Sequence, residues 1–218
     1  MIRKRISGSE RKALILAAAK RVFSRSGYEA AKTQEIAREA GVSEALVYRH
    51  FPTKLALYRA VLRQTVREQD ENFAEFAPEN PSGAAVIRGL KQYFSHTAAL
   101  GEDEMQQRFR MLLASLSGDG TYAKLVYRRS RRMLDRSLEE AMARAREDGD
   151  ITGRLLPMVD TSMFIEHVGT MMSANVASAH EDAPYTVQGE ELVREAVWFC
   201  SRGLGFSDEA IARHLDES

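Results

Sequence analysis

Apolar residues along the chain recur at steps of three and four rather than at every second position, which is the signature of helices packed by one face. Ile15, Ala18, Ala19, Val22 and Phe23 share one such face. They predict a helix from about Glu10 to Ser26, with Gly27 as its stop. Thr33 reads as the N-cap of a second helix ending near Ala40, and Gly41 as the turn. Ser43 caps a third helix running to about His50. After Pro52, Thr53 caps a fourth through "KLALYRAVLRQTV". The Pro/Asn/Gly cluster "FAPENPSGA", Phe76 to Ala84, is the best candidate boundary. Helical patterns follow at about 84–99, 103–117, 121–147, 158–179 and 187–204, and a short last helix, "SDEAIARHL", begins at the Ser207 cap. The sequence holds no sustained alternating pattern, no fixed-period repeat and no low-complexity tract. The fold class is therefore all-α.

The stretch "TQEIAREAGVSEALVYRHF", Thr33 to Phe51, places Ala37, Gly41 and Val47 at a spacing with a physical reading. Where two short helices cross steeply, only a small side chain such as Ala37 fits at the contact. The tight turn needs a residue tolerant of positive φ, here Gly41, and Val47 fills the space beneath with Ile36, Ala40 and Val42. The second helix of the pair then projects from the surface. Ser43, Glu44 and Ala45 lie at its N-terminus, the part that reaches base edges in a major groove. Tyr48 and His50 are placed to donate to phosphate oxygens, and Arg49 adds charge. Thr33 and Lys54 are candidate phosphate contacts on either side.

Charge supports this placement. The 218-residue chain is formally neutral, but residues 1–63 hold 14 Lys and Arg against 5 Asp and Glu, and the rest carries the compensating acidic excess. A basic N-terminal third suits a polyanion partner. The tail residues Arg3, Lys4 and Arg5 are candidates for a minor-groove arm or for a free polar tail. Cys200 is the only cysteine, so neither an intrachain disulfide nor a thiolate metal cluster is expected. The longest apolar run near the start, "ALILAAA", is far short of a membrane span. These features lead to the expectation of a soluble cytoplasmic protein with no membrane association.

The segment "ILAAAKRVFSRSGYEAAKTQEIAREAGVSEALVYRHFPTKLALYRAVL" resembles the N-terminal domain of the tetracycline-repressor (TetR) family of bacterial transcription regulators, from about Lys12 to Leu62. The resemblance implies an N-terminal three-helix DNA-binding domain with a helix-turn-helix, over residues 1–56. A fourth helix, about 54–75, would link it to a helical ligand-binding and dimerisation domain over 57–218. It also implies a homodimer bound to a palindromic double-stranded DNA operator and localised to the nucleoid. Carried over by position, Thr33, Tyr48, His50 and Lys54 match phosphate contacts, while Ser43, Glu44 and Ala45 match recognition positions. The function expected is a small-molecule-responsive repressor. A transcriptional activator and a ligand-independent nucleoid or cell-division protein of the same fold are the alternatives.

Beyond about residue 66 the reading rests on patterns alone. Tyr93, His96, Phe109, Met133, Phe164, His167 and Met171 are candidates to line a pocket for a small apolar effector, since Met adapts to irregular apolar ligands. No cofactor is called for. The five histidines lack metal-ligand spacing, and neither a phosphate loop nor a Gly-x-Ser-x-Gly motif occurs, so an enzyme is not expected. In "YRRSRRMLDR", the pairs Arg131–Asp135 and Arg136–Glu140 read as a solvated face of one long helix. At about 100° per residue, Leu192, Val193, Ala196, Val197, Phe199, Cys200, Gly203 and Leu204 form one arc of the helix at 187–204, with Trp198 outside it. The helix at 158–179 shows Thr170, Ser173, Ala174 and Ala177 opposite an arc containing Phe164 and Met171. Helices 158–179 and 187–204 of two chains are therefore expected to form a four-helix interface, through these small residues and Trp198.

Overall fold

A computed structural model describes residues 7–73, 80–99, 102–132, 136–177 and 184–216. Eleven helices occur among them: α1 (Gly8–Ala30), α2 (Thr33–Glu39), α3 (Glu44–His50), α4 (Lys54–Phe73), α5 (Gly83–Ala99), α6 (Glu102–Leu116), α7 (Thr121–Arg132), α8 (Arg136–Glu147), α9 (Met158–Ala177), α10 (Gly189–Gly203) and α11 (Asp208–Asp216). Ile151 and Phe206 form an isolated antiparallel bridge. The all-α expectation therefore holds. None of the described helices is long and apolar enough to cross a membrane. The chain packs as two compact units, Met1–Glu71 with Gln107–Leu125, and Asn72–Gln106 with Val126–Ser218. This division differs from the one read at residue 56. Leu57, Tyr58, Val61, Leu62 and Val66 of α4 are buried, and Tyr58 meets Phe23 of α1 edge-on at 4.9 Å, which keeps α4 with the N-terminal helices.

In the first unit, α1 begins earlier than its apolar pattern suggests. The Ser7 hydroxyl accepts from the Glu10 amide at 3.1 Å, and the Glu10 carboxylate accepts from the Ser7 amide at 2.6 Å, a capping box that closes the first turn. Gly27, with φ 69° and ψ 177°, breaks the helix where its stop was expected, and one further turn carries the chain to Ala30. The buried face of α1 is the one read from the sequence. At the end of α6, the buried Ser115 hydroxyl accepts from the amides of Tyr122 and Ala123 at 2.9 and 3.1 Å, so it caps the start of α7.

The second unit is built around α5. Val86, Ile87, Leu90 and Phe94 pack with residues of α8, α9, α10 and α11 in one core. Asp150, almost fully buried, accepts from Arg213 and lies 2.8 Å from His214 Nε2, fastening α11 to the α8–α9 connection. The Ser207 hydroxyl accepts from the Ala210 amide at 3.2 Å and caps α11 as expected. The single helix expected over 121–147 is instead α7 and α8, and residues 133–135 lie outside the described residues.

Helices α9 and α10 depart from the sequence reading. Gly169, Ser173 and Ala174 are buried inside the chain, while Phe164 and Met171 are 59% and 49% exposed. The cause is α5. A Cβ on Gly169 would lie 2.3 Å from the Tyr93 hydroxyl, so the small-residue face is where the Tyr93 ring is seated. Ser173 and Ala174 therefore cannot present their side chains to another chain. On α10, Leu192, Val193, Ala196, Val197, Cys200 and Leu204 are buried as read, but Phe199 is 68% exposed. Trp198 is half-buried against the core, with the Arg202 guanidinium 5.8 Å from its ring. A long indole can fold back over its own chain, whereas Phe199 at the edge of the arc points away from it.

Candidate nucleic-acid interface

The turn between α2 and α3 is closed by backbone bonds. The Val42 amide donates to the Ala37 carbonyl at 3.0 Å and the Gly41 amide to the Arg38 carbonyl at 3.2 Å. With Gly41 at φ 66°, this is a Schellman closure, which a residue bearing a Cβ would strain. Ala37, Ile36 and Val47 are buried at the crossing, as their spacing requires. The Ser43 hydroxyl then accepts from the Leu46 amide at 3.2 Å and starts α3. Helix α1 braces this pair from behind. Glu39 accepts from Arg21 at 2.5 Å and from Arg25 at 2.6 Å, and Arg25 also reaches Glu35 at 3.4 Å. The Arg25 hydrogen bond, with help from Arg21, holds the Glu39 carboxyl below its usual range.

The face of α3 turned to solvent carries Ser43, Glu44, Ala45, Tyr48 and Arg49, all exposed, while His50 is half-buried beside Phe51. The first three lie side by side at the start of α3. The Tyr48 hydroxyl donates to Thr33 Oγ1 at 3.3 Å. This joins two of the candidate phosphate contacts and leaves the Thr33 hydroxyl hydrogen free to donate outward. Thr33 itself is 7% exposed and is the first residue of α2. The N-cap is Lys32, which makes no side-chain cap bond, so Thr33 does not cap as expected.

Lys54 has a role that its position alone did not suggest. Its ammonium donates to the carbonyls of Glu29 and Ala31 at 3.0 and 3.2 Å and sits 4.6 Å from the centre of the Tyr28 ring. It thus clamps the end of α1 to the start of α4, and one of its three protons remains for an external acceptor. A lysine 25 residues from its acceptor carries no local sequence signal. The basic arm Arg3–Arg5 lies outside the described residues.

Among the described residues of the second unit, the proposed pocket residues do not form one lining. In the second unit the Tyr93 hydroxyl donates to Glu166 at 3.4 Å, as does Ser130 at 3.2 Å, with Arg129 buried nearby. Tyr93 is half-buried as a whole but its hydroxyl is enclosed. Burial, then the Glu166 carboxylate, pushes that phenol well above the usual tyrosine range. His96 is half-buried on α5. His167 is exposed and meets Tyr127 edge-on at 5.7 Å. Phe164 and Met171 face solvent, and Phe109 belongs to the first unit. Met133 and the side chain of Ala177 lie outside the described residues, as do the pairs Arg131–Asp135 and Arg136–Glu140. Thr170 is half-buried.

Residues 15–61, which hold the whole helix-turn-helix, match the profile of bacterial regulatory proteins of the tetR family. This N-terminal domain is a tetR-family domain. Over 62 residues it is 48% identical to the HTH-type transcriptional activator FasR of Mycolicibacterium smegmatis, covering 28% of each protein. Over 94 residues it is 30% identical to the HTH-type transcriptional regulator EthR of the same organism, covering 42% of this chain and 43% of EthR. The matched stretches thus span less than half of those relatives' lengths. The likeness in fold extends further along the chain. The transcriptional regulator FadR of Bacillus subtilis, solved in complex with stearoyl-CoA, superposes with a TM-score of 0.61 over 88% of this chain and 98% of its own, at 16% identity.

Proposed function

We propose that the chain is a sequence-specific transcriptional regulator that binds a palindromic operator as a homodimer, acts as a repressor in the bacterial cytoplasm on the nucleoid, and responds to a small effector. The observation that carries this reading is the rigid α2–turn–α3 unit, which presents Ser43, Glu44 and Ala45 at the exposed start of α3 and flanks them with the Tyr48–Thr33 pair and Lys54. In this reading the three exposed residues read base edges, and Thr33, Tyr48, His50 and Lys54 hold phosphates.

Dimerisation through α9 and α10 is supported by different side chains from those first named. Phe164, Met171 and Phe199 are large, apolar and exposed on these two helices. Their burial against a second copy would remove that surface from water. An apolar effector would occupy the second unit beside Tyr93 and His96. Its binding would favour a conformer whose two recognition helices no longer match the operator spacing. That a protein of this fold holds stearoyl-CoA accords with an apolar effector. The activator reading is favoured by one observation, the name of FasR, and a promoter-reporter assay separates the two.

Selection of bound fragments from random DNA by the purified full chain tests the central claim. The expected result is an inverted repeat with half-site centres about one helical turn, roughly 34–36 Å, apart or a multiple of it. Recovery of no common sequence, or of an asymmetric single site, would overturn it.

A further inference from the structure

The corner between α1 and α2 carries four charged side chains in one network. Arg21 and Arg25 stand one helical turn apart on α1, and Glu35 and Glu39 one turn apart on α2. Each like-charged pair is unfavourable on its own helix. Across the corner they interdigitate. Glu39 accepts from Arg21 at 2.5 Å and from Arg25 at 2.6 Å, and Arg25 also reaches Glu35 at 3.4 Å. Glu39 thus sits between the two arginines and Arg25 between the two glutamates, which sets the register of α2 on α1. The side chains remain partly open to water, Glu39 least at 22%. Ion pairs this exposed contribute little to global stability. The two helices also bury Ala19, Val22, Ile36 and Ala37, so the fold does not depend on the network.

Its place in the domain gives it a different use. Glu39 lies four residues before Ser43, across the turn that Gly41 closes, so its Cα is within about 14 Å of the exposed start of α3. Residues 1–63 hold 14 Lys and Arg against 5 Asp and Glu, and two of those five acids meet here. A carboxylate near a polyanion opposes its binding. The Arg25 hydrogen bond holds the Glu39 carboxyl below its usual range, and the Glu39 hydrogen bond raises Arg25, so both stay charged. Each guanidinium tied to Glu39 is one fewer cation offered to phosphate. We infer that Glu39 is a positioning residue that sets DNA specificity, by tying Arg21 and Arg25 to the end of α2: the tie fixes the start of α3 and withholds both guanidiniums from the DNA backbone. Phosphate contacts carry no base identity, so cations kept off the backbone leave a larger share of the binding to base edges. The specificity part rests on the operator-binding reading proposed above, whereas the withholding of cations does not.

Glu39→Gln in the full chain tests the inference beside the wild type, by salt-titrated binding to a duplex of random sequence and to the sequence that the wild type selects from random DNA. The variant should melt within about 2–4 °C of the wild type, as loss of exposed pairs predicts. On the random duplex it should bind about threefold to tenfold more tightly at low salt, and its dependence of log K on log[salt] should steepen by about one to two units, because up to two arginines are released to phosphates. Its preference for the selected sequence over the random duplex should fall by about tenfold. Adding Arg21→Gln and Arg25→Gln should return the random-duplex slope to that of the wild type. Glu39→Asp, which keeps the carboxylate, should retain the wild-type slope throughout. The random-duplex arm needs no operator, so a wild-type selection that yields no common sequence counts against the operator reading and leaves this arm to decide. An unchanged slope for Glu39→Gln, a slope that stays steep in the triple variant, or an equal loss of both affinities would each overturn the assignment. The last is what a plain structural brace would give.

Discussion

Two glycine-to-alanine substitutions on facing helices separate the packing of α5 on α9 from helix propensity. At Gly89, on α5, an added Cβ meets nothing within 4 Å. Alanine there should gain the helix-propensity difference, about 0.8–1 kcal/mol. At Gly169, on α9, the same Cβ would lie 2.3 Å from the Tyr93 hydroxyl and 2.6 and 2.7 Å from two ring carbons. Ordinary contact begins at 3.4 Å, so the ring must retreat by more than an ångström. It packs on the core and its hydroxyl is bonded to Glu166, so it has no free direction in which to move. Overpacking of this kind costs about 1–3 kcal/mol, and a strained buried hydrogen bond about 1 more. After subtracting the same propensity gain, Gly169→Ala should destabilise by about 1–3 kcal/mol. For a chain of this length each kcal/mol moves Tm by about 2–4 °C. Thermal unfolding at one protein concentration, which holds any association constant, should therefore show Gly89→Ala melting above the wild type and Gly169→Ala several degrees below it. In a Tyr93→Ala background the Gly169→Ala penalty should vanish. Equal melting temperatures for the two single variants would refute the argument that Tyr93 is what makes the α9 face small.

Three further outcomes are expected. Lys54→Ala should lower stability by about 1–2 kcal/mol, through its two carbonyl bonds and the Tyr28 contact. It should also weaken specific and random DNA alike and flatten the salt dependence by about one unit; a loss confined to the selected operator in salt-titrated filter binding would contradict the phosphate role. Glu44→Gln should change the preferred base at one position in each half-site of the selected DNA, since only the carboxylate accepts from cytosine N4 without also donating. An unaltered site would leave Glu44 with no more than its favourable interaction with the α3 dipole. Phe199→Glu should give a folded monomer in sedimentation velocity that loses operator affinity, and a persistent dimer would remove Phe199 as an anchor.

The helix-turn-helix was legible because everything that determines it is local. Ala37 at the crossing, Gly41 in the turn, Ser43 as cap and Val47 as plug lie within eleven consecutive residues, and each is fixed by sterics or a cap bond that composition reveals. The interactions that hold that unit in place were not legible. Lys54 reaches carbonyls of residues 29 and 31, and Arg21 and Arg25 reach Glu39 across the α1–α2 corner. Carbonyl acceptors have no sequence signature, and arginine and glutamate are common enough that pairing at such separations is invisible until the helices cross. Helix α9 failed for another reason. It carries small or apolar side chains on nearly every side, so angular position alone does not rank its faces. Taking the bulkiest side chains as core placed Phe164 and Met171 inwards and the small residues outwards. What decided the matter was complementarity with a neighbour, because Tyr93 occupies the space that glycine leaves. The two faces of α9 thereby exchange parts, and their chemistry follows. The side read as a ligand wall exposes Phe164 and Met171, and of the side read as a partner surface Ser173 and Ala174 belong to the chain's own core. In the proposed dimer an interface of α9 and α10 would bury Phe164, Met171 and Phe199 together, and the proposed effector site would rest on Tyr93 and the polar groups gathered about Glu166.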